Sequence, residues 1–359
     1  MDKLTEIERL VSIGIIQEDA ESIYSLLQTE EDPIFCMEII PYYALFIQSC
    51  QEYMGKVYVL EPVAQDLKDI RNHIKAYSDR FGKSKKRVLS VDDQQNQDFK
   101  SQLRFKFLKN KNIHLNLGTY WMNARHIIGN TQQLADFLSF ENIFDNKNRE
   151  KYSQISYQIG TFTESIRECI ASSLKYPLVE RPCISTKINS YYDINTNKKN
   201  RLFLEKQPKE INLFFLHLLC NMNFVKYVLR PLFIDGNIWA FRVEYIVTYY
   251  TLRGLERLKN YCENNDDISI ETEEINKILS QGEKLFKTKL RNCMMHYNLE
   301  NAGVIAFENI EKPFYGIIEN CFDNMNYYEY LHCMHSLSDK IIAYLENQFD
   351  FSDIKLKSF

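Results

Sequence analysis

Breaks are scarce in this chain. Only 11 glycines and 8 prolines punctuate 359 residues, so few positions demand a turn or stop a helix. Long apolar runs are missing too. The longest, near Ile39–Ile47 and Leu213–Cys220, fall far short of the ~20 residues that cross a bilayer. The opening MDKLTEIERLV is acidic and amphipathic, without the basic-then-apolar order of a secretory signal, so a cytoplasmic protein with no membrane contact is expected. None of the nine cysteines forms a CxxC pair, and their odd number favours reduced, buried thiols over a disulfide framework or a zinc cage. The one close His/Cys cluster, His332-Cys333-Met334-His335, has no second ligand pair elsewhere, so no metal and no cofactor are expected. Nor is there an excess of positive charge. A net charge of −4 and a pI near 6.1 exclude a protein that coats nucleic acid non-specifically. The short basic runs Lys83–Arg87, Lys106–Lys111 and Lys198–Arg201 read as solvated loops.

What is present is a globular composition, 45% apolar and 26% charged, in a chain long enough for two domains. Apolar residues recur mostly at three and four, which predicts an all-α protein. Residues 3–12 and 18–29 read as two short helices with a break around Ser12–Gln17, and Ile39–Tyr53 as a third. Leu60, Val63, Leu67, Ile70, Ile74, Tyr77 and Phe81 predict one long helix, with Pro62 in its first turn and Gly82 at its end. Lys83–Lys100, basic and then rich in Asp and Gln, reads as a surface loop or linker. Residues 101–140 are hard to read, with strand character near Ile113–Leu117. The polar run Asn142–Glu150 places a boundary between a mostly helical N-terminal region, 1–145, and a helical bundle, 146–359.

In the second half, the stripe Tyr152, Ile155, Ile159, Phe162, Ile166 and Cys169 predicts a helix ended by Pro177. Residues 179–207 read as a long loop, in which Asp193, Asn195 and Asn197 form a turn and not a calcium loop, because the required Gly and closing Glu are absent. Ile211–Val228 follows as an apolar helix carrying His217, read as a core histidine. Asp235-Gly236-Asn237 caps a helix striped by Phe241, Tyr245, Thr248, Leu252 and Leu255, whose other face carries Arg242, Arg253 and Arg257. The stripe Ile275, Ile278, Leu279, Gly282 and Phe286 leads into KLFKTKLRNCMMHYNLE at Lys284–Glu300. A last helix spans about Asn326–Phe349.

The stretch Lys284–Glu300 carries the chemistry. Arg291 is a permanent cation with a fork of donors, Asn292 a polar amide, and His296 the side chain best suited to move protons at neutral pH. An Arg followed four to six residues later by His arises by chance in a chain of this composition. Asn directly after Arg, with three apolar spacers before His, is far rarer and occurs here once. Arg71-Asn72 is an internal control, with Ala76 at the His position. Arg291 and His296 stand about 140° apart around an ideal helix, so they converge only where the helix bends or ends, or where a second chain completes the site.

These residues resemble the HEPN family of small helical-bundle domains, many of which are metal-independent ribonucleases marked by Arg, four to six residues, then His, often written RNxxxH. The resemblance rests on Arg291, Asn292 and His296 and on the helices of roughly residues 150–350. It implies a HEPN-like C-terminal bundle and an endoribonuclease. In that reading His296 acts in acid–base catalysis on the ribose 2′-hydroxyl, Arg291 holds the phosphate, and Asn292 positions it. The implied partners are RNA, a second copy of the chain whose motif lines the same cleft, and an antitoxin or sensor protein. The implied role is a prokaryotic toxin or antiphage-defence effector acting by abortive infection. The sequence departs from the family where toxins controlled by a nucleotidyltransferase continue as His, any residue, Tyr, since here it reads His296-Tyr297-Asn298. The alternative is a catalytically silent helical module that binds protein or RNA. Exposed Arg291 and His296 in one electropositive cleft at a dimer seam separate the first reading from the second, which expects a buried His296 or a monomer.

Overall fold

The computed structural model describes residues 3–28, 33–56, 60, 62–103, 114–171, 188–233, 236–265, 270–300, 302–352 and 354–358. Among them are twelve α-helices and four short strands, so the chain is mostly helical and not all-α. The helices are α1 (Lys3–Leu27), α2 (Pro33–Met54), α3 (Gln65–His73), α4 (Phe81–Ser101), α5 (Thr131–Phe137), α6 (Lys147–Ala171), α7 (Lys209–Asn223), α8 (Ile238–Cys262), α9 (Thr272–Leu285), α10 (Thr288–Met295), α11 (Ile317–Cys321) and α12 (Tyr327–Glu346). The strands β1 (Leu117–Met122), β2 (His126–Asn130), β3 (Ile188–Ile194) and β4 (Lys357–Ser358) form an antiparallel sheet in the order β2-β1-β3-β4.

Several expectations need correction. The break at Ser12–Gln17 does not exist, since α1 runs straight through it. Ser12 Oγ folds back on the Glu8 carbonyl at 2.9 Å, and Gly14 admits Tyr315, whose hydroxyl would lie 2.5 Å from a Cβ there. The predicted helix over 60–81 is helical only from Gln65 to His73. It unwinds through turns in which Ala76 N donates to His73 O at 3.0 Å and Ser78 N to Lys75 O at 3.1 Å. Packing takes over at that point: Tyr77 stacks on buried His217 at 4.9 Å, and its carbonyl approaches Gly254 so closely that a Cβ would sit 2.9 Å away.

Lys83–Lys100, expected as a loop, lies in α4. Its buried positions, Phe81, Ser84, Val88, Asp92, Gln95 and Asp98, do follow the three-and-four spacing, but most of them are polar. Asp92 is fully buried and accepts from Thr196 Oγ1 (2.7 Å), Gln132 Nε2 (2.6 Å), Asn116 Nδ2 (3.2 Å) and Lys209 Nζ (2.8 Å). An inward stripe satisfied by hydrogen bonds is invisible to a hydrophobicity pattern. Within the expected loop 179–207, residues 188–194 form β3. The turn read at Asp193, Asn195 and Asn197 starts at Asn195, whose Oδ1 accepts from Asn197 N at 2.9 Å, and Asp193 belongs to the strand. The end of the helix at Pro177, the basic run Lys106–Lys111 and the cap residue Asp235 lie outside the described residues, while Asn237 caps α8 by accepting from Ala240 N at 2.9 Å.

The apolar helix with His217 continues from α7 through a π turn (Phe224–Leu229) and a 3-10 turn (Arg230–Leu232). This run, Lys209–Leu232, is 24 residues long, so it is long and apolar enough to cross a membrane, yet its most apolar window is 83% buried inside the fold. The hydrophobic core extends without interruption from Val11 to Phe349, on both sides of residue 146. Cys50, Cys169, Cys220, Cys262, Cys293, Cys321 and Cys333 are free, and among the described residues no three His, Cys, Asp or Glu side chains gather as a metal site. His335, from the close His/Cys cluster, bonds Glu244 Oε2 at 3.2 Å.

Candidate active site

The helix expected to run into the motif breaks at Phe286–Lys287. Phe286 turns into an aromatic group with Tyr245 (4.7 Å between ring centroids) and Tyr249 (5.9 Å), and Tyr330 Oη donates to the Leu285 carbonyl at 3.1 Å. The motif therefore begins a new helix, α10, only eight residues long. Leu290 and the three spacers Cys293, Met294 and Met295 are buried, leaving Arg291 and Asn292 on the outer side.

That helix ends at Met295, and His296 is fully extended (φ −138°, ψ 152°). Two buried groups enforce the stop by taking its last carbonyls: Arg242 Nη2 donates to Met294 O at 3.0 Å, and Ser49 Oγ of α2 to Met295 O at 3.0 Å. A cation at a helix C-terminus also suits the helix dipole. Arg242 is not on an exposed face, as its helical position suggested. It is 4% exposed, ion-paired with Asp19 of α1, and stacked over Tyr297 at 4.4 Å. Tyr297 donates its hydroxyl to the same Asp19 at 2.5 Å. Burial pushes Asp19 up to about 6, against the pull of Arg242 and Tyr297. The residue after the motif histidine is thus an internal strut, which aims His296 outward.

His296 and Asn292 open into one cleft of about 510 Å³, lined also by Ser49, Glu52 and Tyr53 of α2, by Lys56 in the turn after it and by Asn298. The imidazole is 46% exposed, and its Nδ1 lies 3.7 Å from Glu52 Oε2. Burial is the largest influence on this ring and lowers its pKa below the ordinary value. Glu52 opposes that shift, while Arg71, Arg291 and Arg242 reinforce it. The ring is therefore mostly neutral at pH 7, the form that accepts a proton. Glu52 facing Nδ1 favours the tautomer that leaves Nε2 open towards the cleft.

Arg291 does not line this cleft. Its Nη1 donates to Asn292 Oδ1 at 3.1 Å, and its guanidinium lies over Tyr249, 5.7 Å from the ring centroid. Its Nε is buried with no hydrogen-bond partner among the described residues. Arg291 nonetheless acts electrostatically on both His296 and Tyr250, as does Arg71. The structure thus brings Asn292 and His296 together, sets Arg291 beside them, and adds Glu52, Lys56 and Arg71. Only Arg71 carried a signal in the sequence, as the second Arg-Asn pair. Glu52, near the end of α2, and Lys56, in the turn after it, join the site through tertiary packing alone.

Compared with protein-family models, curated proteins and solved structures, the chain has no match.

Proposed function

We propose that this protein is a HEPN-type endoribonuclease that cleaves RNA without a metal, by attack of the ribose 2′-hydroxyl on the adjacent phosphate. The observation that carries the reading is His296 itself, half exposed and held beyond a helix end in a polar cleft, with a carboxylate at Nδ1 and cations near it. In this mechanism neutral His296 takes the 2′-hydroxyl proton. The oxygen attacks phosphorus, the bond to the 5′-oxygen breaks, and a 2′,3′-cyclic phosphate remains. Lys56, Arg71 and Arg291 stabilise the growing phosphate charge through their positive field. The leaving oxygen needs an acid. His296 of a second copy supplies it if two clefts face each other in a homodimer, an economical arrangement for a chain with one such histidine. A role as a toxin or antiphage-defence effector in the cytoplasm, under an antitoxin or sensor partner, belongs to the same proposal and rests on the family resemblance.

The test is cleavage of RNA by purified protein in EDTA, scored for products ending in a 2′,3′-cyclic phosphate, beside His296→Ala and Arg291→Ala. Loss of cleavage in folded variants supports the reading. A wild type that binds RNA but leaves it intact, or variants that cleave equally well, selects the silent helical module instead.

A further inference from the structure

The outer face of α10 leads from the His296 cleft to a second cavity. Thr288, Arg291 and Asn292 stand at i, i+3 and i+4, so they share one side of that helix. Asn292 lines the His296 cleft, and Thr288 lines a cavity of about 290 Å³ between α8 and α9. Arg291 bridges the two, with Nη1 on Asn292 Oδ1 and its guanidinium over Tyr249, whose ring lines the second cavity. The eight residues of α10 span about 12 Å, the length of three to four stacked nucleotides at about 3.4 Å each.

The stretch that joins them is positively charged. From Lys284 to Met295 the chain carries Lys284, Lys287, Lys289 and Arg291 and no Asp or Glu, and the three lysines are exposed. In a protein of net charge −4 this is a local exception, and it suits the backbone of a polyanion.

The cavity suits a flat ring with polar edges. Tyr249 and Phe286, 5.9 Å apart between ring centroids, supply aromatic surface, and Leu252 and Leu279 aliphatic surface. Arg253, Glu256 and Glu283 are its charged residues. Arg253 and Glu256 pair with each other, but their side chains are 38% and 36% exposed, so solvent screens the pair and it opens at little cost. Glu283 is exposed. Among the four RNA bases, guanine alone presents two adjacent acceptors, O6 and N7, to an arginine fork, together with two adjacent donors, N1–H and the N2 amino group, to a carboxylate. An arginine and a carboxylate at one aromatic cavity are the matching set.

We propose that the cavity between α8 and α9 is a guanine subsite for single-stranded RNA. The base packs against Tyr249 and Phe286, Arg253 exchanges Glu256 for O6 and N7, and Glu283 accepts from N1–H and the N2 amino group. Arg291, between this cavity and His296, attracts the intervening backbone phosphate. Resting on the ribonuclease reading above, the subsite makes cleavage specific, with each cut falling within a few nucleotides of a guanine.

The test measures binding of GMP, AMP, CMP and UMP to the full chain by calorimetry and maps the cuts in an RNA containing all four bases. GMP should bind about 10-fold more tightly than the other three, the order of discrimination that one bidentate arginine–guanine pair provides. Arg253→Met and Glu283→Gln should each remove that preference with the Tm unchanged, because both side chains reach solvent. Arg291→Met should instead weaken all four nucleotides alike, since a phosphate contact carries no base information. In the cleavage map, cuts cluster near guanine in the wild type and spread over all bases in Arg253→Met. The two readings fail separately. A wild type that prefers GMP through Arg253 and Glu283 but leaves RNA intact supports the guanine subsite and overturns the ribonuclease. Equal binding of the four nucleotides, or a GMP preference untouched by Arg253→Met or by Glu283→Gln, overturns the subsite even where RNA is cut.

Discussion

Two Arg-Asn pairs occur in this molecule, each on a short helix that ends soon after it, and each followed by a histidine facing a carboxylate from another element. In both, the arginine reaches across to its neighbour: Arg71 Nη1 to Asn72 Oδ1 at 3.5 Å, Arg291 Nη1 to Asn292 Oδ1 at 3.1 Å. The difference lies in where the histidine falls. His73 follows Asn72 directly, on the last residue of its helix, and turns inward to an Asp136 side chain that is 10% exposed and already held by Arg87. His296 comes four residues after Asn292, past the helix end, and faces Glu52, which is 51% exposed. A buried carboxylate that shares Arg87 with the imidazole fixes His73 within the fold. A solvated one leaves the histidine half exposed at its cleft, and screening keeps the Glu52 pair weak. The same residue types thus form an enclosed network in one place and line an open cleft in the other, through spacing and burial.

That contrast can be broken by substitution. The largest expected effect is on RNA cleavage, which His296→Ala should reduce by about 10²–10⁴-fold, the usual worth of a general acid or base, with little change in stability because the ring is half exposed. His73→Ala should instead lower the Tm, because it removes a partner of Arg87 and Asp136 inside the fold, and leave RNA cleavage unchanged. If His73→Ala abolished RNA cleavage with the fold intact, the distinction would fail. Next in size is Arg242→Ala, which leaves Asp19 buried without its cation and frees the Met294 carbonyl. A loss of about 3–5 kcal/mol in urea denaturation is expected, with loss of the His296 cleft. Tyr297→Phe removes only the hydroxyl bonded to Asp19. It should cost about 1.5–3 kcal/mol and leave Arg242 in place, so an effect as large as that of Arg242→Ala would locate the strut in Tyr297.

The smallest effects are on the titration of His296, followed by NMR of the ring protons. Glu52 raises its pKa and Arg71 lowers it, so Glu52→Gln should move the titration to lower pH and Arg71→Met to higher. Solvent screening keeps both shifts modest. Because the folded value lies below the ordinary one, the unfolded chain binds this proton more tightly. The group's contribution to stability is therefore fully present above pH 6.5 and declines as pH falls through the folded value. Shifts of opposite sign to those expected would place Glu52 and Arg71 elsewhere than beside this histidine.

Most helices were legible because apolar residues at three and four mark a buried face: α6, α7, α8 and α12 all follow that rule. Where legibility failed, the reason was chemical. The inward stripe of α4 is built from Ser84, Asp92, Gln95 and Asp98, so its burial rests on hydrogen bonds. The hairpin β1–β2 turns through Asn123 and Ala124, both at positive φ (53° and 52°), with Arg125 N donating to Met122 O at 3.1 Å. This turn type normally announces itself with Asn-Gly, and alanine conceals it. In the site, Arg291, Asn292 and His296 could be named from spacing, but the end of α10 could not, since it is imposed by Ser49 and Arg242 from distant helices.

By itself the sequence determined the helical character, the core faces of most helices, and a rare arrangement of cation, amide and imidazole. Tertiary structure alone decided that α10 stops at Met295, that Tyr297 is a strut on Asp19, that Glu52 and Arg71 stand around His296, and that His73, Asp136 and Ser139 converge. The division follows from range. Periodicity reports which side of a local element avoids water, whereas capping, charge pairing and catalytic alignment depend on groups brought together from distant parts of the chain.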